Sequence, residues 1–116
     1  MSHALILDDN MIVSRAIEDR LLSLGFNSFD HAWTEEQAVA AARHHLPDLV
    51  VLGDSIMAGS AFSAARRIVH HRSVPVLMVT ADPGHLHRDD SGDVSFDGPF
   101  LLNEIEAAVE MALAPG

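Results

Sequence analysis

Three aspartates occupy positions where their carboxylates could act together. Asp8 and Asp9 directly follow an apolar run at residues 4–7, and Asp54 lies just beyond a second apolar run at 49–52. Continuous runs of this kind are typical of strands that are buried on both faces of a parallel sheet. Open α/β sheets place their sites at the carboxyl ends of the strands, so adjacent strands would bring the three carboxylates to one edge. Because clustered carboxylates repel one another, we expect a hard divalent cation such as Mg²⁺ to bind there through oxygen ligands.

Composition restricts the class of protein. The 116 residues are 48% hydrophobic, which is enough to bury the core of one domain, and we expect a single domain over residues 1–116. The chain has no cysteine, which excludes disulfides and thiolate metal sites and fits a cytoplasmic protein. No apolar run is long enough to cross a membrane. The net charge of −10 argues against nucleic-acid binding by this domain.

The hydrophobic pattern alternates between strands and helices about five times. We predict strands at 5–7, 26–29, 49–52, 74–79 and 94–96, and helices over roughly 13–24, 34–45, 60–71 and 102–112. Strands that alternate with helices predict right-handed crossovers and a parallel sheet. The segment 81–93 breaks the alternation, because it is rich in proline, glycine and aspartate and has no apolar face. We predict at most one helical turn there.

Four short motifs follow one another along the chain. They are the segments 5–10 (LILDDN), 47–57 (PDLVVLGDSIM), 74–81 (VPVLMVTA) and 98–100 (GPF). In this order they resemble the acidic pair, the phosphoacceptor strand with its turn, the fourth strand with its switch hydroxyl, and the Lys-Pro-Phe motif of receiver domains from bacterial two-component response regulators. The resemblance covers essentially the whole chain. It implies a doubly wound, flavodoxin-like α/β fold with a five-stranded parallel sheet of order 2-1-3-4-5.

The resemblance also implies a function for the aspartates. Asp54 would accept a phosphoryl group from a histidine kinase or a histidine phosphotransfer protein. Mg²⁺ would be held by Asp9, Asp54 and the backbone carbonyl of Ile56, with Asp8 contributing through water, and Thr80 would be the switch hydroxyl. In phosphoryl transfer the protein mainly positions the groups, and the metal neutralises charge. A homodimer is compatible with this function, whereas a membrane partner is not expected.

Two features make the resemblance atypical. The family lysine falls on Gly98, and all seven basic residues of the chain are arginines, so only an arginine such as Arg88 could replace it. The segment 81–93 is similar to that of a receiver subclass in which the fourth helix is reduced or missing.

The position of the phosphoacceptor depends on the direction of counting. The spacing forward from Pro47 places it at Gly53, whereas the spacing back from Met57 places it at Asp54. We choose Asp54 because a carboxylate is required. We expect Gly53 to absorb the extra residue as a bulge or kink.

Two functions remain open at this point. The domain is a phosphoacceptor receiver, or it is a pseudo-receiver that acts as a phosphorylation-independent protein-interaction module. A charge-assisted hydrogen bond contributes roughly 1.5–3 kcal/mol, and a full two-state switch needs about 5.5 kcal/mol. Losing the lysine therefore removes up to about half of the switch. We do not expect an enzyme, because the chain has no Gly-rich phosphate loop, no cysteine and no Ser/His/Asp elbow motif.

Overall fold

Apolar strands and amphipathic helices alternate to build a parallel sheet that is covered on both faces. The computed structural model describes residues 2–80 and 97–113. The strands are β1 (Ser2–Leu7), β2 (Phe26–Ala32), β3 (Leu49–Leu52), β4 (Val76–Thr80) and β5 (Asp97–Leu101). The helices are α1 (Met11–Ser23), α2 (Glu35–His44), α3 (Ala61–His71) and α4 (Ile105–Leu113), and a 3₁₀ turn at Leu102–Glu104 precedes α4. The sheet order is β2-β1-β3-β4-β5 with every pair parallel, which confirms the predicted fold class.

Each strand contributes to two hydrophobic cores, because successive side chains point to opposite faces of the sheet. Ile6 and Val51 belong to the core that α1 and α4 cover. Leu7 and Leu52 belong to the core that α2 and α3 cover. Since β1 and β3 are buried on both faces, their sequences read as continuous apolar runs.

Side-chain caps begin three of the helices at the edge where the strands end. Asn10 caps α1 by accepting hydrogen bonds from two backbone N–H groups of its first turn. Thr34 caps α2, as the sequence predicts, and its hydroxyl accepts from the N–H of Gln37 at 3.0 Å. Ser60 caps α3, accepting from the N–H of Ser63 at 3.2 Å. Such caps satisfy N–H groups that the helix itself leaves unpaired.

The second strand is longer than the sequence predicts. We expected a short strand at 26–29, but β2 has seven residues, because its pairing with β1 continues until Ala32 lies opposite Leu7. The hydrogen bonds to the neighbouring strand stabilise β2 beyond the length that its own residues predict.

The described part of the fifth strand begins directly after the predicted segment 94–96, which itself lies outside the described residues. The strand that the structure describes is Asp97–Leu101, so Gly98 and Pro99 lie within β5 rather than after it. The pairing of β5 with β4 shifts register between Leu77 and Val79. β5 is an edge strand, and proline is tolerated at edges and bulges because its missing N–H is not needed there.

Three expectations fall outside the described residues. They are the strand at 94–96, the lack of a full helix at 81–93, and the placement of Arg88. Within the described ranges, no helix is long and apolar enough to cross a membrane.

Candidate functional site

The carboxyl edge of the sheet, where β1, β3 and β4 end, holds the predicted site residues. Asp8 and Asp9 follow β1, and Asp54 lies two residues beyond the end of β3. Leu7 pairs with Leu52, so the two segments leave the sheet side by side. The N–H of Asp9 donates to the carbonyl oxygen of Ser55 at 3.0 Å, which continues the contact past the strand ends.

Asp8 is a buried carboxylate in this edge, with only 1% of the residue exposed. Its oxygens accept hydrogen bonds from the backbone N–H groups of Asn10 at 2.7 Å and Asp54 at 3.2 Å. Burial raises the pKa of Asp8 above its usual 3.8, and the charges of Asp9 and Asp54 raise it further, although the two N–H groups oppose this. A nearby cation would relieve the cost of keeping Asp8 ionised here.

The other two carboxylates are more accessible. Asp9 is half-buried and accepts a hydrogen bond from the Ser55 hydroxyl at 2.7 Å. Asp54 is exposed and lines an open depression of about 310 Å³. Among residues 2–80 and 97–113, the three aspartates are not a group whose ligand oxygens all lie within 4.8 Å of one another. Binding a shared cation would therefore require these carboxylates to move closer together.

Gly53 is required by the close approach of Asp8. A Cβ at position 53 would lie 1.7 Å from Oδ2 of Asp8. The pairing of β3 with its two neighbours is regular up to Leu52, and the N–H of Gly53 donates to the carbonyl of Leu7 at 2.8 Å. No bulge interrupts this ladder up to Leu52, and the bulge or kink expected at Gly53 itself stays a prediction. The glycine leaves the space that the Asp8 carboxylate occupies.

The remaining predicted site residues lie around this edge. Thr80 ends β4 and is buried, with 1% of the residue exposed. Since Leu52 pairs with Met78, Asp54 and Thr80 each lie two residues further along neighbouring chain segments. Ile56 packs against the core under α3, and Gly98 lies in β5, next to β4. The roles assigned to these residues stay predictions.

A clamp that the sequence analysis did not identify holds the loop between β3 and α3. The Glu35 carboxylate accepts hydrogen bonds from the N–H of Ser60 at 3.0 Å, the hydroxyl of Ser63 at 2.8 Å and the guanidinium of Arg67 at 2.9 Å. These bonds, led by the Ser60 N–H, hold the pKa of Glu35 at about 2. Gly59 has a φ of +88°, and a Cβ there would lie 2.5 Å from that of Glu35.

The local sequence contains only part of the signal for this clamp. The capping box at 34–37 places an acidic residue in the first turn of α2. It does not show that the side chain reaches across to α3. That contact depends on the packing of α2 beside α3.

The chain is similar to known proteins in both sequence and structure. No model of a known protein family matches the chain. A protein-glutamate methylesterase/protein-glutamine glutaminase of Haloarcula marismortui is 31% identical over 94 residues. The transcriptional regulatory protein PdtaR of Mycobacterium tuberculosis is 25% identical over 114 residues. The solution structure of the receiver domain of the PhyR response regulator from Erythrobacter litoralis is 27% identical, with a TM-score of 0.78, over 99% of this chain and 95% of that one. The chain is a receiver domain of the response-regulator type.

The receiver domain is shorter than the curated relatives it matches. The similarity to the methylesterase covers 81% of this chain but 24% of that protein, and the similarity to PdtaR covers 95% of this chain and 56% of that protein. The shared part is thus the two-component receiver, and the relatives are substantially longer proteins.

Proposed function

We propose that this receiver domain accepts a phosphoryl group on Asp54 from a histidine kinase or a histidine phosphotransfer protein. The observation that supports the proposal most directly is the exposed Asp54 carboxylate, which lies at the carboxyl edge within electrostatic reach of the buried Asp8. A phosphoacceptor must be reached by a partner, so exposure is required. We also propose that residues 1–116 form one domain that signals in the cytoplasm without enzymatic turnover.

We further propose that Mg²⁺ is bound by Asp9, Asp54 and the backbone carbonyl of Ile56, with Asp8 contributing through water. All of these ligands are oxygens, which Mg²⁺ prefers. Burial and two neighbouring carboxylates raise the pKa of Asp8, so a divalent cation would remove an unfavourable interaction that the residues alone leave in place. When bound, the ion neutralises charge on the transferred phosphoryl group.

A second candidate, the pseudo-receiver, is favoured by one specific observation. The chain contains no lysine to bind a phosphoryl oxygen from the end of the fifth strand. In this function the domain would bind a protein partner without being phosphorylated.

Intact mass measurement separates the two candidates. The protein is treated with acetyl phosphate and Mg²⁺, and we expect the mass to increase by one phosphoryl group. Asp54→Asn should abolish the increase, because an amide cannot form the acyl phosphate. Asp19→Asn is the matched control, since Asp19 is an exposed aspartate on α1, and it should keep the increase.

Two other results would reject Asp54 as the acceptor or favour the pseudo-receiver. If Asp54→Asn still gains the phosphoryl group, Asp54 is not the acceptor. If the wild-type protein gains none while Mg²⁺ still shifts the NMR signals of Asp8 and Asp9, the pseudo-receiver is correct. If Asp54 is phosphorylated, Gly98→Lys should enlarge the spectral change that follows, because it restores a charge-assisted hydrogen bond to the phosphoryl oxygen.

A further inference from the structure

A second cluster of ionisable side chains lies near the opposite, amino edge of the sheet. It consists of His3 in β1, Asp30 in β2 and His45 at the end of α2. Within the part of the chain that the structure describes, these three residues form the group whose possible ligand atoms all lie within 4.8 Å of one another. We call them the His-Asp-His cluster. It shares no residue with the site at the carboxyl edge.

Both the ring and the backbone of His3 make hydrogen bonds. The residue is buried, and its Nε2 lies 3.0 Å from a carboxylate oxygen of Asp30, while its Nδ1 lies 2.7 Å from the hydroxyl of Ser28. Its backbone N–H donates to the Asp48 carboxylate at 2.9 Å, and its carbonyl accepts from the Asp48 N–H at 2.8 Å. This ring is therefore fixed in orientation.

His45 contributes a second imidazole from an exposed position. It is the exposed C-cap of α2, and its ring stacks on that of His3 with centroids 3.6 Å apart and planes inclined by 12°. A residue at an exposed helix end can turn its side chain without disturbing the core. The cluster thus combines one fixed imidazole, one adjustable imidazole and a half-buried carboxylate.

We propose that the His-Asp-His cluster is a binding site for Zn²⁺. Two imidazoles and a carboxylate are a donor set that suits zinc, with water as the fourth ligand of a tetrahedron. Bonds to zinc of about 2.0–2.1 Å place neighbouring ligand atoms roughly 3.3 Å apart. The 3.0 Å separation between His3 Nε2 and the Asp30 oxygen is close to that value. Zinc would bind through these two atoms and one ring nitrogen of His45.

Ser28 gives the fixed histidine the partner that metal-binding imidazoles have. When the Ser28 hydroxyl accepts a hydrogen bond from the N–H at Nδ1 of His3, the lone pair of Nε2 points at the ion. The His45 ring must leave the stack, because a metal lies in the plane of each ring that binds it and two stacked planes do not share such a point. Zinc binding therefore moves His45 and leaves His3 and Asp30 nearly in place.

The test is a titration of the full chain with ZnCl₂, followed by calorimetry and by NMR of the histidine ring nitrogens. We expect one site per chain, with the ring signals of His3 and His45 shifting together. His45→Gln should weaken zinc binding at least ten-fold. His44→Gln is the matched control, because His44 is an adjacent, exposed histidine at the same helix end that lies outside the cluster. It should leave the affinity unchanged.

Asp30→Asn provides a second variant, with folding checked by circular dichroism. It should weaken zinc binding while the fold is kept. If Asp30→Asn does not fold, His45→Gln decides alone, because that side chain is exposed. The proposal is overturned if the wild-type chain binds no zinc, if His45→Gln binds as tightly as the wild type, or if His44→Gln loses as much affinity as His45→Gln. The last result would indicate unspecific binding by surface imidazoles.

Discussion

The two ends of β1 hold buried ionisable side chains whose surroundings differ in kind. At the amino end, His3 lies between a carboxylate and a hydroxyl, so its ring nitrogens each have a partner of complementary chemistry. At the carboxyl end, Asp8 receives two backbone N–H groups but lies near two further carboxylates. The first end combines imidazoles with one carboxylate, whereas the second brings three carboxylates near one another.

The two proposed metal sites therefore differ in the chemistry of their ligands. The carboxyl end offers only oxygen ligands, which suit Mg²⁺, and the amino end offers imidazoles, which suit Zn²⁺. Both ends are built on the same strand, but His3 lies within the sheet, whereas Asp8 and Asp9 lie just beyond it.

The largest expected effect is at Gly53. Gly53→Ala should lower the free energy of unfolding by about 2–3 kcal/mol, because the added methyl group collides with the Asp8 carboxylate. Urea unfolding of the single variants and of the double variant with Asp8→Ala measures the coupling. In the Asp8→Ala background the cost should fall sharply. An equal cost in both backgrounds would show that the contact between positions 8 and 53 is not the cause.

The next effect concerns the Glu35 clamp, which holds the loop between β3 and α3 at the carboxyl end of the sheet. Glu35→Gln should lower the free energy of unfolding by about 1–2 kcal/mol at neutral pH, since it weakens charge-assisted hydrogen bonds to Ser60, Ser63 and Arg67. Glu36→Gln is the control, because Glu36 is exposed and contacts only Arg67 in this clamp. It should change stability little.

The clamp also predicts a pH dependence. The pKa of Glu35 is about 2 in the folded protein and 4.5 when unperturbed. A lowered folded pKa adds stability that is fully present above the unfolded value and is lost as the pH falls through the folded value. The difference in stability between wild type and Glu35→Gln should therefore shrink between about pH 4.5 and 2. A difference that stays constant over this range would contradict the assignment.

The smallest effect tests the metal preference of the two ends directly. At five times its dissociation constant, Mg²⁺ should stabilise the fold by about 1 kcal/mol. The NMR signals of Asp8, Asp9 and Asp54 should shift, and those of the His3 and His45 rings should not. Asp9→Asn should remove the Mg²⁺ effect. Shifts at the histidines with Mg²⁺, or none at the aspartates, would remove the distinction between the two ends.

Short-range patterns in the sequence were sufficient for the fold. Apolar runs predicted β1 and β3, and the capping box predicted the start of α2 at Thr34. They were less successful for β2, which pairing extends to Ala32, and for Gly98 and Pro99, which lie within a strand and not after it. Strand limits depend on the neighbouring strand as well as on the residues of the strand itself.

The sequence by itself therefore determined the order of strands and helices and the shared edge of Asp8, Asp9 and Asp54. The reason is that strand ends meet at one edge of any parallel sheet. Only the tertiary structure decided that Asp8 occupies the space beside Gly53, that Glu35 reaches α3, and that His3 meets Asp30 and His45. These contacts join residues far apart in the chain, and they depend on strand register and helix packing, which no local spacing encodes.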